Sequence, residues 1–245
     1  MPKVRADQLL VKQGLCESRS LAQRLIMAGE VRIGSDQVVA KAGQLLPEDT
    51  SLRINPRKKY VSRGAFKLIP ALEKYDADLS GKIGLDLGAS TGGFTEVMLE
   101  HGVQKVYAVD VGYGQLHDKL RRDDRVISME RTNARNLTSE LIPEKIDILT
   151  GDVSFISLTK VLPPCVNVLK KGAFVFVLIK PQFEAERQEV NAGSGVIRDE
   201  AIRQRCVDKI LAFVKEELQW TSLDVLPSPI QGPKGNQEYV AVFQV

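Results

Sequence analysis

The stretch Ile83 to Gly93, IGLDLGASTGG, constrains this chain more than any other. Ile83 to Leu87 read as a short buried parallel strand. The glycine, serine and threonine cluster that follows lets the backbone turn tightly and approach a ligand that a Cβ would hold off. A helical run to His101 comes next, so unpaired backbone N–H groups face the crevice at the strand's carboxyl end. About twenty residues on, a strand at Val106 to Val109 ends in Asp110, where a carboxylate can accept both hydroxyls of a ribose.

Glycine spacing selects the nucleoside. A dinucleotide site uses G-x-G-x-x-G, whereas Gly88 here precedes Ala89, Ser90 and Thr91 and then the pair Gly92 and Gly93. The phosphate loop ending in Gly-Lys-Ser/Thr is also absent. Asp86 within the turn repels a phosphate but suits the ammonium and sulfonium of S-adenosylmethionine (SAM). The alternative reading is a glycine-rich turn without a ligand.

Further strands are expected at Lys105 to Val109, Val126 to Met129, Ile146 to Thr150, Phe174 to Ile179 and Thr221 to Leu226, mostly with helices between them. This alternation predicts an α/β doubly wound, mostly parallel sheet. The last strand, Glu238 to Gln244, follows the helix-free connection SPIQGPKGNQ and is therefore expected to be antiparallel. A seven-stranded sheet of the Rossmann-like methyltransferase order results. Before it, SRGAFKLIPALEKY predicts a helix with Phe66, Ile69 and Leu72 on one face and Lys67 on another.

The head of the chain is a separate unit. Helices are expected at Arg5 to Gln13 and at Ser18 to Ala28, the second capped by Ser18 and stopped at Gly29. Short strands at Val31 to Ile33, Gln37 to Val39 and Ser51 to Ile54 follow, with turns at Gly34-Ser35-Asp36 and Leu46-Pro47-Glu48-Asp49. Residues 1–56 are expected to form this small α+β domain, 57–62 a linker with three consecutive cations, and 63–245 the α/β body. Through Arg63 there are twelve Lys and Arg against six acids, while the rest of the chain has 22 against 25. A basic head on a near-neutral body points to a polyanion.

Composition excludes several classes. The longest apolar run, Ala173 to Ile179, is far short of a membrane helix and no secretory leader opens the chain, so a cytoplasmic protein is expected. Cys16, Cys165 and Cys206 have no metal or disulfide spacing and are read as buried thiols. His101 and His117 lack partners at metal spacing, so no metal is expected. Ser154 and Ser157 have no histidine at useful spacing, which argues against a hydrolase triad. The Ser228–Asn236 loop reads as a mobile segment able to close over RNA or as a plain hairpin.

The segment RADQLLVKQGLCESRSLAQRLIMAGEVRIGSDQV resembles the small RNA-binding domain first known from ribosomal protein four of the small subunit. That resemblance implies phosphate contacts by Arg5, Arg19, Arg24 and Lys41; a solvated helix face is the plain alternative. The motifs YVSRGAFKL, LDLGASTGGFTEVML, YAVDVGYGQL, ERTNARNL, DVSFISL, IKPQFEA and SPIQGPKGNQEYV resemble the TlyA (hemolysin A) family of ribosomal RNA 2′-O-methyltransferases, whose catalytic domain is FtsJ-like. The resemblance implies a catalytic Lys67, Asp152, Lys180 and Glu238 and a cytidine ribose in a ribosomal subunit as target. It implies SAM contacts from Asp86, Gly88, Gly92 and Phe94 around the methionine portion, from Asp110 on the ribose and from Asn133 near the adenine, whose amino group an amide oxygen can accept from. Phe94 also has a core reading. In the expected chemistry Lys180, kept available as a free amine by desolvation and a neighbouring Lys67 cation, takes the hydroxyl proton. Asp152 orients Lys180, Lys67 stabilises the growing oxyanion, and Glu238 meets the ribose or positions a lysine. A non-catalytic RNA-binding assembly factor and a pore-forming hemolysin are the competing readings.

Overall fold

Leu9 and Leu10 on one short helix, Ala6–Lys12, face Ala22 and Ile26 on the next, Arg19–Met27, and this apolar seam builds the first unit of the computed structural model, Met1–Lys59. The structure describes residues 2–27, 29–34, 37–54, 60–75 and 78–245. Ser18 Oγ accepts from Leu21 N at 3.2 Å at the start of the second helix, and Gly29 leaves it with φ +70°. Strands β2 (Val31–Ile33), β3 (Gln37–Val38) and β5 (Leu52–Ile54) form one antiparallel sheet. Two further strands, β1 (Lys3–Arg5) and β4 (Leu45–Pro47), pair with each other where the sequence suggested a helix start and a turn. Three-residue strands whose partners lie forty positions apart carry no local period to read. Ser35 and Asp36 of the expected first turn lie outside the described residues.

Asp7 has no exposed surface and draws in four donors. Arg5 reaches it through Nε and Nη2, both at 3.0 Å, while Arg19 Nε and Gln23 Nε2 each donate at 2.9 Å. The Arg5 guanidinium, outweighing burial, holds this carboxyl well below the usual carboxylate range.

The second unit, Tyr60–Val245, carries a seven-stranded sheet. Its strands are β6 (Ile83–Leu87), β7 (Lys105–Val109), β8 (Val126–Met129), β9 (Ile146–Gly151), β10 (Leu169–Ile179), β11 (Thr221–Pro227) and β12 (Tyr239–Gln244). They lie in the order β11-β12-β10-β9-β6-β7-β8, with β12 antiparallel to both neighbours and β6 to β10 in parallel register. Alternate residues feed two cores, as Ile148 and Phe176 pack on one face and Leu149, Val175 and Val177 on the other. The order of strands, not their direction, reverses between the parallel neighbours β6 and β9, which opens a crevice beyond their carboxyl ends. Asp152 N donates to Leu87 O at 3.0 Å across that mouth.

Several local expectations change. The helix Ala65–Tyr75 buries Ala65, Lys67, Leu68, Ala71 and Leu72, so Phe66 is turned outward and Lys67 inward. Packing against the Gly93–Glu100 helix, whose Val97 and Met98 share one core with Leu68 and Leu72, decides the face. Of the expected linker, residues 57–59 lie outside the described residues, whereas Tyr60 is buried, stacks edge-on against Phe66 at 5.5 Å, and belongs to the body. Cys165 and Cys206 are buried, but Cys16 is half-exposed. No helix among the described residues is long and apolar enough to cross a membrane.

Replacing Asp7 by Asn removes the charge behind four donors and is expected to cost the first unit about 2 kcal/mol, read as lost hydrogen-exchange protection of the Ala6–Lys12 helix. Because the folded carboxyl is held low, its contribution is full above the ordinary value of 3.8 and fades as pH falls below it.

Candidate active site

Four charged side chains from four distant segments meet at the crevice. Lys67 comes from the Ala65–Tyr75 helix, Asp152 follows β9, Lys180 follows β10, and Glu238 precedes β12. Lys67 Nζ donates to Glu238 Oε2 at 2.7 Å and to Asp152 Oδ2 at 3.2 Å. Lys180 Nζ lies 2.5 Å from the other oxygen of Asp152 and donates to Ser154 Oγ at 2.8 Å. Asp152 is thereby shared by two lysines, and Lys67 alone has a second carboxylate. Burial disfavours the Lys67 cation, but Asp152 and Glu238 outweigh it and hold this lysine above its usual value, so it remains an ammonium. Gln182 Nε2 donates to Glu238 Oε1 at 3.1 Å and fixes the far end of the chain of contacts.

Two cavities open from this cluster toward the glycine turn after β6. The first, ≈ 490 Å³, is lined by Lys67, Asp86, Gly88, Phe94, Asp152 and Lys180 among others. The second, ≈ 460 Å³, shares Gly88, Ser90, Asp152 and Ser154 with it and extends to Asp110 and Asn133. A Cβ on Gly88, at φ +74°, would stand 3.0 Å from the Asp152 carbonyl oxygen, so glycine keeps the passage narrow-walled but open. Asp86 is buried and accepts from Thr95 N at 2.9 Å, Thr95 Oγ1 at 2.6 Å and Thr150 Oγ1 at 3.1 Å. Burial nonetheless pushes its carboxyl up to about 6.

Three of the residues expected around the nucleoside have further partners within the fold. Gly92 lines neither cavity; its φ of +97° makes the turn, and a Cβ there would collide with Leu120 Cδ1 at 2.2 Å, while Gly93 faces the cleft. Asn133 Oδ1, expected to accept from an adenine amino group, caps a short helix by accepting from Arg135 N at 3.0 Å and Nε at 3.2 Å. Asp110 borders the second cavity as expected, but its oxygens already accept from Ser90 N at 2.8 Å and Gly112 N at 2.7 Å, which aims the carboxylate. Phe94 both lines the first cavity and packs in the core.

A third cavity, ≈ 1450 Å³, runs from Ser154, Lys180 and Glu238 outward past Arg135, Lys160, Arg187 and Lys234. Phe155, 91% exposed with φ +63°, projects beside it with its ring 5.1 Å from that of Phe183. Of the basic groove residues outside the charged cluster only Lys234, in the Ser228–Asn236 loop read as able to close over RNA, was singled out from the sequence; Arg135, Lys160, Arg187 and the aromatic Phe155 were not. The Ser228–Asn236 loop is tied down: Ser228 N donates to Glu238 O at 2.8 Å, and Asn236 Oδ1 accepts from Ile197 N at 3.0 Å. Ile230, Gln231 and Gly232 from this loop wall the first cavity. In the small unit, Arg24 and Lys41 are exposed, while Arg5 and Arg19 pair with Asp7. His101 Nδ1 meets Val97 O at 2.8 Å, and His117 caps a helix by accepting from Lys119 N.

The model for FtsJ-like methyltransferases matches residues 60–245, and that for the S4 domain matches residues 4–48. Over 239 residues, 97% of this chain and 88% of the relative, the sequence is 46% identical to the 16S/23S rRNA (cytidine-2'-O)-methyltransferase TlyA of Mycobacterium tuberculosis. It is 42% identical to hemolysin A of Brachyspira hyodysenteriae over 98% of this chain and 99% of that one. A solved hemolysin structure from Streptococcus thermophilus superposes with a TM-score of 0.74 at 41% identity, covering 100% of this chain and 89% of the other.

The raised carboxyl of Asp86 has a measurable sign. Between its ordinary value of 3.8 and about 6 the folded protein keeps a proton that the unfolded chain releases, so this group lowers stability as pH rises through that window. Asp86→Asn is expected to flatten that part of the pH dependence of the urea midpoint.

Proposed function

The chain belongs to the FtsJ-like methyltransferase family, joined here to an S4 domain, and we propose that it transfers a methyl group from SAM to the 2′-hydroxyl of a cytidine in ribosomal RNA. The observation that carries this reading is the Lys67, Asp152, Lys180 and Glu238 cluster, which borders a nucleoside-sized cleft on one side and a wide basic groove on the other. Such a substrate places the enzyme in the cytoplasm.

The residues present fit SAM. A buried acid, Asp86, suits its cationic methionine end, Gly88 leaves the passage that any Cβ would narrow, and the pre-aimed Asp110 carboxylate suits a ribose diol. When bound, SAM supplies a methyl group already activated by its sulfonium. The protein must therefore act on the acceptor, because a ribose hydroxyl is far too weak an acid to attack at neutral pH.

Lys67, held as a cation by two carboxylates, is suited to stabilise charge growing on the 2′-oxygen. Lys180 has only a share of Asp152 and a neutral hydroxyl beside it, so the proton-accepting role falls to Lys180. Glu238, braced by Gln182, keeps Lys67 in place. In the groove, Arg135, Lys160, Arg187 and Lys234 can meet phosphates, and the Phe155 and Phe183 rings offer an unpaired base a stacking surface worth about 1–3 kcal/mol. The small unit adds docking charge through Arg5, Arg19, Arg24 and Lys41.

Lys180→Ala is expected to bind SAM normally by calorimetry while methyl transfer to ribosomal RNA falls by about 10²–10⁴-fold; unimpaired transfer would remove Lys180 from the chemistry. Arg19→Ala is expected to weaken RNA binding and lower the slope of log K against log salt by about one, with SAM affinity unchanged. A non-catalytic assembly role predicts instead that neither the parent nor Lys180→Ala methylates any ribosomal RNA.

A further inference from the structure

Lys180 is held from two sides in two different ways. Its Nζ lies 2.5 Å from Asp152 Oδ1, close enough for a strong ion pair, yet that buried oxygen receives no aligned hydrogen bond. The aligned bond goes to the Ser154 hydroxyl, from Nζ to Oγ at 2.8 Å. Asp152 supplies charge and Ser154 supplies direction.

Direction matters for an amine on a flexible stem. Its last C–N bond turns freely unless an aligned partner stops it, and a lone pair pointing elsewhere cannot take a proton. With one N–H committed to Ser154 and the ammonium or amine drawn against Asp152, the remaining direction on Nζ is set. Ser154 also stands where the reactants must meet: alone among the lining residues it borders the first cavity, its extension toward Asp110, and the basic groove. Lys180 borders the first of these and the groove.

We propose that Ser154 is a positioning residue for methyl transfer, orienting the Lys180 amine toward the ribose 2′-oxygen while Asp152 holds its charge. This rests on the reading of Lys180 as proton acceptor. In the step it serves, the 2′-oxygen bonds to the methyl carbon as the carbon–sulfur bond breaks. The hydroxyl proton passes to Lys180 Nζ, and Ser154 keeps its own.

The test compares Ser154→Ala, Ser154→Thr and Lys180→Ala in the full chain on ribosomal RNA, with SAM affinity measured separately. Ser154→Ala is expected to lower kcat by about ten- to a hundredfold with KM for SAM and for RNA unchanged. The acid limb of its kcat profile should move to lower pH, because the ammonium loses a hydrogen-bond acceptor, and Ser154→Thr should restore most of the rate. Parental kcat and pH profile in Ser154→Ala, or a change confined to KM or SAM affinity, would overturn the proposal. An active Lys180→Ala would instead remove its premise, whereas an inactive Lys180→Ala beside a normal Ser154→Ala would sink the role of the serine alone.

Discussion

One carboxylate between two lysines governs this site. Asp152 turns one oxygen to Lys67 and the other to Lys180, joining a helix that precedes the sheet to the end of β10, the strand beside its own β9. Two ammonium groups brought this close would repel each other strongly in a desolvated crevice, so neither lysine could hold its place without the acid between them. Glu238 then breaks the symmetry. By adding a second negative partner to Lys67 and none to Lys180, it leaves one lysine as a fixed cation and the other with less negative charge around it. Two identical side chains therefore sit in different electrostatic surroundings.

The sheet makes the arrangement possible. Parallel β6 and β9 end at the same edge, and the reversal of strand order between them leaves a gap that only loops can fill. Asp152 and the Gly88 turn fill it from one side and Lys180 from the next strand over. The antiparallel β12 has its start at that edge, which is how Glu238 arrives from the end of the chain. A single mouth, lined by Ser154 and Lys180, consequently joins the first cavity to the basic groove.

The small unit repeats the physical device with opposite purpose. Asp7, wholly buried, holds Arg5 and Arg19 by their guanidinium edges. A pre-set guanidinium loses less freedom when it meets a phosphate than a loose one, at the cost of one unit of positive charge. In the second unit the half-buried Asp152 holds two lysines; in the head the buried Asp7 holds two arginines.

The sequence by itself determined the seven strands of the catalytic sheet, the glycine turn after Leu87 and the reversed final strand, because period, turn chemistry and connection length are local properties. The basic bias of the head was likewise legible as charge along the chain. The gathering of Lys67, Asp152, Lys180 and Glu238 was named only through family resemblance, since no spacing rule joins residues so far apart. Tertiary structure alone decided that Lys67 and not Phe66 faces inward, that the Asn133 oxygen caps a helix, and that Gly92 shapes the turn while Gly93 meets the cleft. It alone placed Ser154 and Gln182 against the charged cluster and Phe155 beside the groove. Each of these depends on which surface packs against which, and a side chain's partners across a fold are set by that packing and not by its neighbours in sequence.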